Sequence, residues 1–409
     1  MDYKFDKNIS VDEFESFAST FSKAHFMQSK ANMLLKQNQG YITHLLGVKE
    51  NDELVGACLL LEKNLYGFIK YFYIPRGMIV DYNNKQLLST FIKFIANYVR
   101  EHNGVFLKID PDIQLREIDD NGFEIVSDNN NYELFDYLVK LGFNHQGFNY
   151  DFESMQPRYT YRLDIDKNYD DIRKGMHQTT RNILNKDNVV KVYKSDIKDI
   201  DKFNDLMHQT SQRANFDCMG SDYYNKFYEY YCENNHCDLY FASVDMSTLK
   251  NKSKEKIENI KHDLNSNISD KKKKELVPVL AKLVKELNSY DNYEDKEYTL
   301  SCMMVVKYGD KVWTVHGGNS DLLRELNSNY YMYNEIIKDA NKDGYKVVDF
   351  FGTTGRADKT NPIYGIHLFK KRMGGEYVEF VGEFDLVFNN IKYNIYKKYA
   401  PKLRKILRK

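Results

Sequence analysis

Hydrophobic and polar positions in the first half of the chain follow strand-like and helix-like periods in turn. Strand character is present in ITHLLGVKE, LVGACLLLEK and FIKYFYIPRG, which precede a helical run over residues 85–102 and the buried-strand pattern VFLKID. The segment YELFDYLVKLGF is amphipathic and closes on Gly142, a residue that commonly adopts the left-handed conformation at a helix end. This alternation predicts a mixed α/β fold.

A second unit with a similar order begins at YTYRLDI. Helical segments are predicted at residues 172–186, 200–213 and 330–343, and strands at LYFASVD, TLSCMMVVKYG, KVWTVHGG and KVVDFFG. We therefore predict two α/β domains, residues 1–156 and residues 157–379.

Residues 246–296 interrupt the second unit with a charged helical pattern. One apolar stripe runs through Leu249, Ile257, Ile260, Leu264 and Ile268, and a second runs through Leu276, Leu280, Leu283 and Leu287. The pattern predicts an antiparallel helical hairpin, in which Pro278 is tolerable only near a helix start. The hairpin either stiffens the protein or is a docking arm whose lysines contact phosphates. Those lysines are Lys271, Lys272, Lys273 and Lys274.

Composition narrows the class of protein. Fifty-nine basic residues balance 59 acidic ones, which disfavours a dedicated nucleic-acid module. The five cysteines are odd in number and scattered, so we expect reduced thiols and a cytoplasmic protein. Cys232, His236 and Cys237 lack the second ligand pair of a zinc site, and no metal site is predicted. No apolar run approaches the roughly 18–20 residues that span a bilayer.

Three glycine-containing motifs of the second unit carry the candidate chemistry: VHGGNS at residues 315–320, DFFGT at 349–353 and YGIHLFKKRMGG at 364–375. Glycine lets backbone amides approach a ligand closely. The strand running into Asp349 places that carboxylate at its carboxyl end, where the sites of open sheets usually lie.

The order of these motifs resembles a known family. The first half contributes FYIPRGMIVDY and LKIDPD to this likeness. The second half contributes, in order, PRYTYRLDI, a basic helix, a charged hairpin, and the motifs GGNS, DFFGT and GIHLFKKRMGG. Together these segments resemble the Fem family of tRNA-dependent peptidoglycan branch-forming aminoacyltransferases. The likeness is greatest to the FemX-type enzymes that add the first residue. The resemblance implies tandem GNAT-like acyltransferase domains with an inserted coiled-coil arm, and a carboxyl-terminal segment, residues 380–409, that packs on the first domain.

The resemblance also implies a reaction. An amino acid would move from aminoacyl-tRNA to the stem-peptide side-chain amine of lipid II or of UDP-MurNAc-pentapeptide, forming the interpeptide bridge. Aminoacyl-tRNA would be the co-substrate, with no other cofactor, and the protein a monomer. Ester aminolysis requires a neutral amine, stabilisation of the oxyanion and proton transfer to the leaving hydroxyl.

One catalytic role is carried over from the resemblance, and the roles of the other candidate residues are read from the sequence around them. Lys370 matches the family lysine assigned to the oxyanion or the aminoacyl ester; the alternative is a surface lysine. Phe369 is a core or substrate-stacking residue, and Lys371 and Arg372 contact solvent or RNA phosphates. Asp110 in LKIDPD is the candidate general base, with a structural role in its loop as the alternative.

Acceptor-binding roles follow in the same way. Lys36 matches a family lysine that contacts the acidic precursor, Tyr223 matches a substrate-contacting tyrosine, and Arg76 either binds the acceptor or holds its own turn. Two departures, Met219 and His316, stand where relatives often have an arginine and an aromatic hydroxyl, so His316 is expected to replace that hydroxyl. The remaining candidate substrate-binding residues are Gly317 and Asp349.

The last segment, KYNIYKKYAPKLRKILRK at residues 392–409, is a basic amphipathic tail without acidic residues. Such a tail attracts tRNA phosphates or an anionic membrane, so peripheral contact at the inner face of the membrane is a hypothesis. Its cations are Lys392, Lys397, Lys398, Lys402, Arg404, Lys405, Arg408 and Lys409. Two other classes stay open: an acyl-CoA-dependent GNAT enzyme, although no clean pyrophosphate loop is present, and a non-enzymatic tRNA- or precursor-binding protein.

Overall fold

The computed structural model describes residues 2–65, 67–214, 218–232 and 235–407, with side chains up to residue 399. Arg408 and Lys409 of the basic tail lie outside the described residues, and the side chains of Lys402, Arg404 and Lys405 are likewise not described.

The first half of the chain forms one α/β layer structure. Its elements are β1 (Tyr3–Asp6), α1 (Val11–Thr20), α2 (Lys30–Asn38), β2 (Ile42–Glu50), β3 (Glu53–Leu65), β4 (Ile69–Ile74), β5 (Ile79–Val80), α3 (Lys85–Glu101), β6 (Phe106–Ile109), β7 (Gln114–Glu117), α4 (Tyr132–Lys140) and β8 (Asn144–His145).

The second half contains the remaining elements and two short 3₁₀ turns. They are β9 (Tyr159–Asp164), α5 (Tyr169–Gly175), α6 (Gln178–Leu184), β10 (Lys191–Ser195), α7 (Ile200–Ala214), α8 (Ser221–Cys232), β11 (Cys237–Asp245), α9 (Met246–Asn265), α10 (Asp270–Tyr290), β12 (Glu297–Tyr308), β13 (Lys311–Asn319), α11 (Ser328–Lys342), β14 (Val347–Asp349), α12 (Tyr364–Arg372), β15 (Glu376–Phe380), β16 (Phe384–Val387) and α13 (Asn390–Leu407).

Two sheets share one architecture. The first has the order β1-β2-β3-β4-β6-β16-β8, with β5 on β3, and the second has the order β10-β11-β12-β13-β14-β9-β15-β7. In each, four antiparallel strands lead into a parallel pair, β4 with β6 and β13 with β14. A parallel pair requires a crossover, which α3 and α11 supply. The predicted mixed α/β class is confirmed, with two sheets of similar strand order.

The two sheets exchange strands. β7, from the first half of the chain, pairs with β15 in the second sheet, whereas β16 returns to pair with β6 and β8 in the first. Helix α13 follows β16 and lays Tyr393 and Tyr396 against Phe106. The carboxyl-terminal segment therefore lies on the first sheet.

A buried ion cluster stands where β16 meets β6. The Lys108 ammonium lies 3.0 Å from a Glu383 carboxylate oxygen and 2.8 Å from Asp385 Oδ1, and all three side chains are buried. The two carboxylates outweigh the cost of burial and raise the pKa of Lys108 well above its ordinary value. One cation thus pairs with two buried carboxylates, Asp385 on the returning strand and Glu383 directly before it.

The helical insertion forms a hairpin. Helices α9 and α10 pack against each other, and their bases meet where Met246 N–H donates to Lys296 O at 3.1 Å. The four lysines at 271–274 are exposed in the first turn of α10, at the far end of the arm. Pro278 lies inside α10, so its predicted restriction to a helix start is wrong. Its exposed position lets the helix continue past the missing hydrogen bond.

The predicted helix over residues 172–186 is two helices. Helix α5 ends at Gly175 and α6 begins at Gln178. The His177 amide donates to Arg372 O instead of continuing the helix, while its ring accepts from Thr179 N–H at 3.1 Å. Tertiary pairing with α12 therefore overrides the local helical pattern. Among the described residues, no helix is long and apolar enough to cross a membrane.

Replacing Lys108 by alanine should lower the free energy of unfolding by about 3–5 kcal/mol, because two buried carboxylates would lose their cation. Urea denaturation would measure the change. The control is Lys4→Ala, whose exposed partner Asp52 is 3.1 Å away and which should cost less than about 1 kcal/mol. Equal losses in the two variants would contradict the assigned role of Lys108.

Candidate active site at the junction of the two domains

The carboxyl ends of both parallel pairs contribute to one small crevice. Arg76 follows β4 in the first domain, and Asp349 ends β14 in the second. The crevice is lined by His25, Arg76, Pro157, Tyr159, Thr160, Arg162, Trp313, Asp349, Phe351, Gly352 and Phe380. Two of the predicted substrate-binding residues, Arg76 and Asp349, are therefore brought together.

Asp349 organises the wall formed by the second domain. Its Oδ1 accepts hydrogen bonds from Thr160 Oγ1 at 2.6 Å and from Phe351 N–H at 2.8 Å, and its Oδ2 accepts from Arg162 Nε at 2.8 Å. Arg162 also contacts Asp112 at 2.5 Å. Because these bonds occupy both carboxylate oxygens, Asp349 fixes the loop after β14 and is not a free ligand group.

Lys370 lies beneath that same loop. It is only 7% exposed on α12, and its Nζ donates to Phe351 O at 2.9 Å and to Gly352 O at 2.6 Å. Burial lowers the pKa of Lys370 to about 7, against the opposing effect of Asp349. Lys370 is thus not a surface lysine: its ammonium binds the backbone of two residues that line the crevice.

The glycine of DFFGT is required by close packing. A Cβ on Gly352 would lie 2.4 Å from Pro157 Cγ and 2.8 Å from Phe152 Cε1, so the segment joining the domains covers this loop. Phe369, next to Lys370, points elsewhere: its ring centroid is 4.9 Å from that of Tyr330 and 4.8 Å from that of Tyr333. The structure places Phe369 in the core of the second domain and not in the crevice.

Asp110 is enclosed in the first domain. It is 3% exposed, and its two oxygens accept from Tyr73 OH at 2.9 Å and from Arg76 N–H at 2.8 Å. Burial raises the pKa of Asp110 to about 7, although the neighbouring Arg76 charge acts to lower it. This geometry favours the structural alternative over the general-base prediction.

A second cluster joins α2, α8 and β13. The His316 ring is surrounded by Tyr223, Tyr224 and Phe227, with ring centroids 5.1–5.7 Å away. Burial, assisted by the charge of Lys36, lowers the pKa of His316 to about 4, so the imidazole is neutral near pH 7. Its buried Nε2 has no hydrogen-bond partner among the described residues. Lys36, Tyr223 and His316 are therefore brought together, apart from Lys370.

Two further features of this second cluster follow from packing. Lys36 Nζ donates to Gln39 Oε1 at 2.8 Å, and burial followed by the charge of Lys63 lowers the pKa of Lys36 to about 8. A Cβ on Gly317 would lie 2.5 Å from Met303 Cε, the flexible end of that side chain, so a larger residue beside His316 would require Met303 to move.

The predicted RNA contacts lie at separate places. Lys371 is paired with Asp120 at 3.0 Å, whereas the arm lysines stand on α10. The backbone of Arg372 joins α12 to the start of α6: its carbonyl accepts from His177 N–H at 3.0 Å and from Thr180 Oγ1 at 2.7 Å. In the described ranges, no group of three His, Cys, Asp or Glu side chains is arranged to hold a metal ion.

Sequence patterns missed several residues of the crevice. Arg162 sits in the strand YTYRLDI, His25 lies in a run without a glycine motif, and Trp313 precedes the VHGGNS motif in the strand KVWTVHGG. Of these three crevice residues, only Arg162 has a signal in the sequence that could have identified it. That signal is a charged residue inside a strand pattern.

The stability of the protein should depend on pH through Lys370. Its folded pKa of about 7 lies below the ordinary lysine value of about 10.4, so the unfolded chain binds the extra proton between these limits. The free energy of unfolding of the natural protein, relative to Lys370→Met, should therefore rise from pH 7 to pH 10. Denaturant melts of both proteins across this range would measure it, and a flat difference would contradict the burial of Lys370.

Comparison with known proteins agrees with this architecture. The model of the FemAB family matches residues 9–400. The chain is 28% identical to aminoacyltransferase FemA of Staphylococcus epidermidis, over 97% of this chain and 99% of that one, and 29% identical to aminoacyltransferase FemA of Staphylococcus aureus strain MRSA252, over 95% and 96%. The crystal structure of FemX has the same fold, with a TM-score of 0.76 at 23% identity over 97% of this chain and 99% of that chain. The chain belongs to the FemAB family and is an aminoacyltransferase.

Proposed function

We propose that the protein transfers an amino acid from aminoacyl-tRNA to the stem-peptide side-chain amine of lipid II or its UDP-linked precursor, as a step in building the interpeptide bridge. The amine nitrogen attacks the ester carbonyl, the new C–N bond replaces the C–O bond to ribose, and the ribose hydroxyl takes up a proton. The observation that carries this proposal is the buried ammonium of Lys370 at the wall of the interdomain crevice.

Lys370 supports the reaction through charge and position. Its ammonium binds the carbonyl groups of Phe351 and Gly352, and thereby fixes the loop at the crevice. A positive charge in a site with little water stabilises a developing oxyanion more strongly than it would in solution. The crevice is where we place the aminoacyl ester.

Lys36 and His316 are proposed to bind the acceptor. The precursor carries a diphosphate and carboxylates, which favour a cation such as Lys36. His316 has a neutral ring, and its Nε2 forms no hydrogen bond with the described residues. We propose that this nitrogen contacts the acceptor in place of the aromatic hydroxyl of relatives. Tyr223 encloses one side of that ring.

The donor tRNA is proposed to contact the protein outside the crevice. The exposed lysines at 271–274 form a compact positive tip that suits phosphate contacts without base reading. Lys371 and Arg372, on the helix that carries Lys370, are proposed as contacts closer to the aminoacyl end.

An assay with a panel of charged tRNAs tests this function. The protein, a nucleotide pentapeptide or lipid II, and tRNAs charged with glycine, alanine or serine should give an acceptor heavier by one amino-acid residue, measured by mass spectrometry. Lys370→Met should lower kcat/KM by at least about 100-fold. The adjacent Lys371→Met, which removes a half-exposed ion pair and one proposed phosphate contact, should lower it by less than about tenfold.

Three results would contradict the proposal: no addition from any charged tRNA, addition from acetyl-CoA instead, or equal losses in the two lysine variants. The last result would place the important charge on the surface of α12 and not in the crevice.

We also infer that the protein works at the inner face of the membrane, docked through α13. The helix buries Tyr393 and turns the opposite side outward, where Ile391, Ile395 and Tyr399 are 78%, 37% and 46% exposed. Their i, i+4, i+8 spacing places them on one stripe. No acidic residue follows Asp385, so the stripe is rimmed by cations alone. A second copy of this basic surface would repel it, whereas an anionic bilayer suits both its charge and its apolar stripe.

Vesicle binding tests the docking of α13. Binding to vesicles of phosphatidylcholine and phosphatidylglycerol should exceed binding to phosphatidylcholine alone, and Ile391→Ser with Ile395→Ser should weaken it by at least about tenfold. The matched control, Val277→Ser with Val279→Ser, alters exposed apolar residues of the arm and should have no effect. Unchanged binding in the α13 variant would refute the docking.

A further inference from the structure

Arg76 has a backbone conformation that its side chain disfavours. Its φ is +53°, in the left-handed region that costs a non-glycine residue free energy unless its surroundings stabilise it. The Asp110 carboxylate provides that support, because its Oδ1 accepts the Arg76 N–H at 2.8 Å. Tyr73 OH binds the other oxygen and fixes the carboxylate in turn.

The second domain contains the same device. Asp349 stands at the end of the second strand of its parallel pair, as Asp110 directly follows β6 in the first domain. Its Oδ1 accepts the N–H of Phe351, whose φ is +58°. In both domains an aspartate at this place accepts the N–H of a left-handed residue that lines the crevice, within its own loop in the second domain and from the loop of the neighbouring strand in the first.

The group presented at Arg76 is a guanidinium without an anionic partner. Its Nη2 donates to Pro157 O at 2.6 Å and its Cζ lies 4.4 Å from the centroid of Phe380. No carboxylate of the described residues forms an ion pair with it, whereas Arg162 in the same crevice is paired with two aspartates. The crevice also contains Trp313, whose buried Nε1 has no acceptor in the described part of the chain. The crevice thus contains a guanidinium without a carboxylate partner and an indole N–H without an acceptor among the described residues.

We propose that Asp110 is a positioning residue: it holds Arg76 in the left-handed conformation so that the guanidinium binds an anionic group of the acceptor substrate in the interdomain crevice. This inference rests on the proposed function for the nature of the acceptor. The shared chemistry is an oxyanion, supplied by either a peptide carboxylate or the diphosphate.

The same contacts argue against proton transfer by Asp110. Both of its oxygens are engaged, and Arg76 stands between it and the crevice. The charged or titratable groups that act on Asp110 are Tyr73, Tyr82, Arg76 and Glu383, and of these only Arg76 lines the crevice.

Variants at the two positions test the inference. Asp110→Asn keeps an oxygen that accepts the Arg76 N–H, so kcat and acceptor KM should stay within about threefold of the natural values, with an unchanged pH profile. Arg76→Gln and Asp110→Ala should each raise acceptor KM about tenfold at nearly constant kcat. The double variant should be no worse than Arg76→Gln alone, because the two residues act through one contact.

Calorimetric binding of UDP-MurNAc-pentapeptide in the absence of tRNA separates this inference from the proposed reaction. Binding that weakens in Arg76→Gln supports the inference even if no charged tRNA reacts. A nucleotide with the diphosphate but no carboxylate, UDP-GlcNAc, distinguishes the two sources of the oxyanion: equal weakening points to the diphosphate, and weakening only with the pentapeptide points to a carboxylate.

Three outcomes would overturn the proposal. The first is an Asp110→Asn variant that turns over at least about 100-fold more slowly and loses the acidic limb of its pH profile, which would make Asp110 a base. The second is unchanged acceptor binding in Arg76→Gln, and the third is additive effects in the double variant. If Asp110→Ala does not fold, Arg76→Gln and Asp110→Asn decide the question by themselves.

Discussion

The crossing of the chain from one sheet to the other, between Phe380 and Phe384, fixes how the two domains meet. β15 ends in the second sheet and β16 begins in the first, with Gly382 at φ +91° between them. Glu383 binds both the buried Lys108 and the Met155 amide, which ties the crossing to the segment that joins the domains. Every feature of the crevice depends on this short connection.

Phe380 shows how the crossing organises the crevice. Its ring lies 4.4 Å from the guanidinium carbon of Arg76 and 4.9 Å from that of Arg162, so it stands between a cation of each domain. Guanidinium groups stack favourably on aromatic faces. The last residue of β15, directly before the crossing, therefore contacts both arginine side chains.

Two buried lysines show how surroundings decide the chemistry of a residue type. Lys108 faces two carboxylates, and its pKa is raised. Lys370 faces two carbonyl groups, and burial lowers its pKa to about 7. The first neutralises charge and stabilises the fold, whereas the second places a poorly compensated cation beside a crevice. Perturbed lysines of the second kind are typical of functional sites.

Much of the secondary structure could be predicted from periodicity. The runs that became α3, α7 and β9 carry strong local signals, and Gly142 has the predicted left-handed conformation with φ +96°. The exchange of β7 and β16 could not be predicted, because strand partners distant in sequence leave no local pattern. The break between α5 and α6 was missed for a related reason, since the amide of His177 bonds to α12.

Only part of the candidate site could be predicted from the sequence. The glycine motifs located the loop at Asp349 and the helix of Lys370, because each combines a strand or helix end with a residue that permits close approach. The pairing of Arg162 with Asp112 and Asp349, and the enclosure of Asp110, depend on contacts between residues distant in the chain. The choice between a positioning role and a proton-transfer role for Asp110 depends on its burial and its hydrogen-bond partners. Neither leaves a local pattern in the sequence.

Hydrogen–deuterium exchange of the intact protein with and without UDP-MurNAc-pentapeptide tests the central claim, that one substrate engages segments of both domains at their junction. We expect that binding of UDP-MurNAc-pentapeptide slows amide exchange both in the loop around Arg76 and in the loop at residues 350–353. Protection confined to one domain, or to the helical arm, would contradict it.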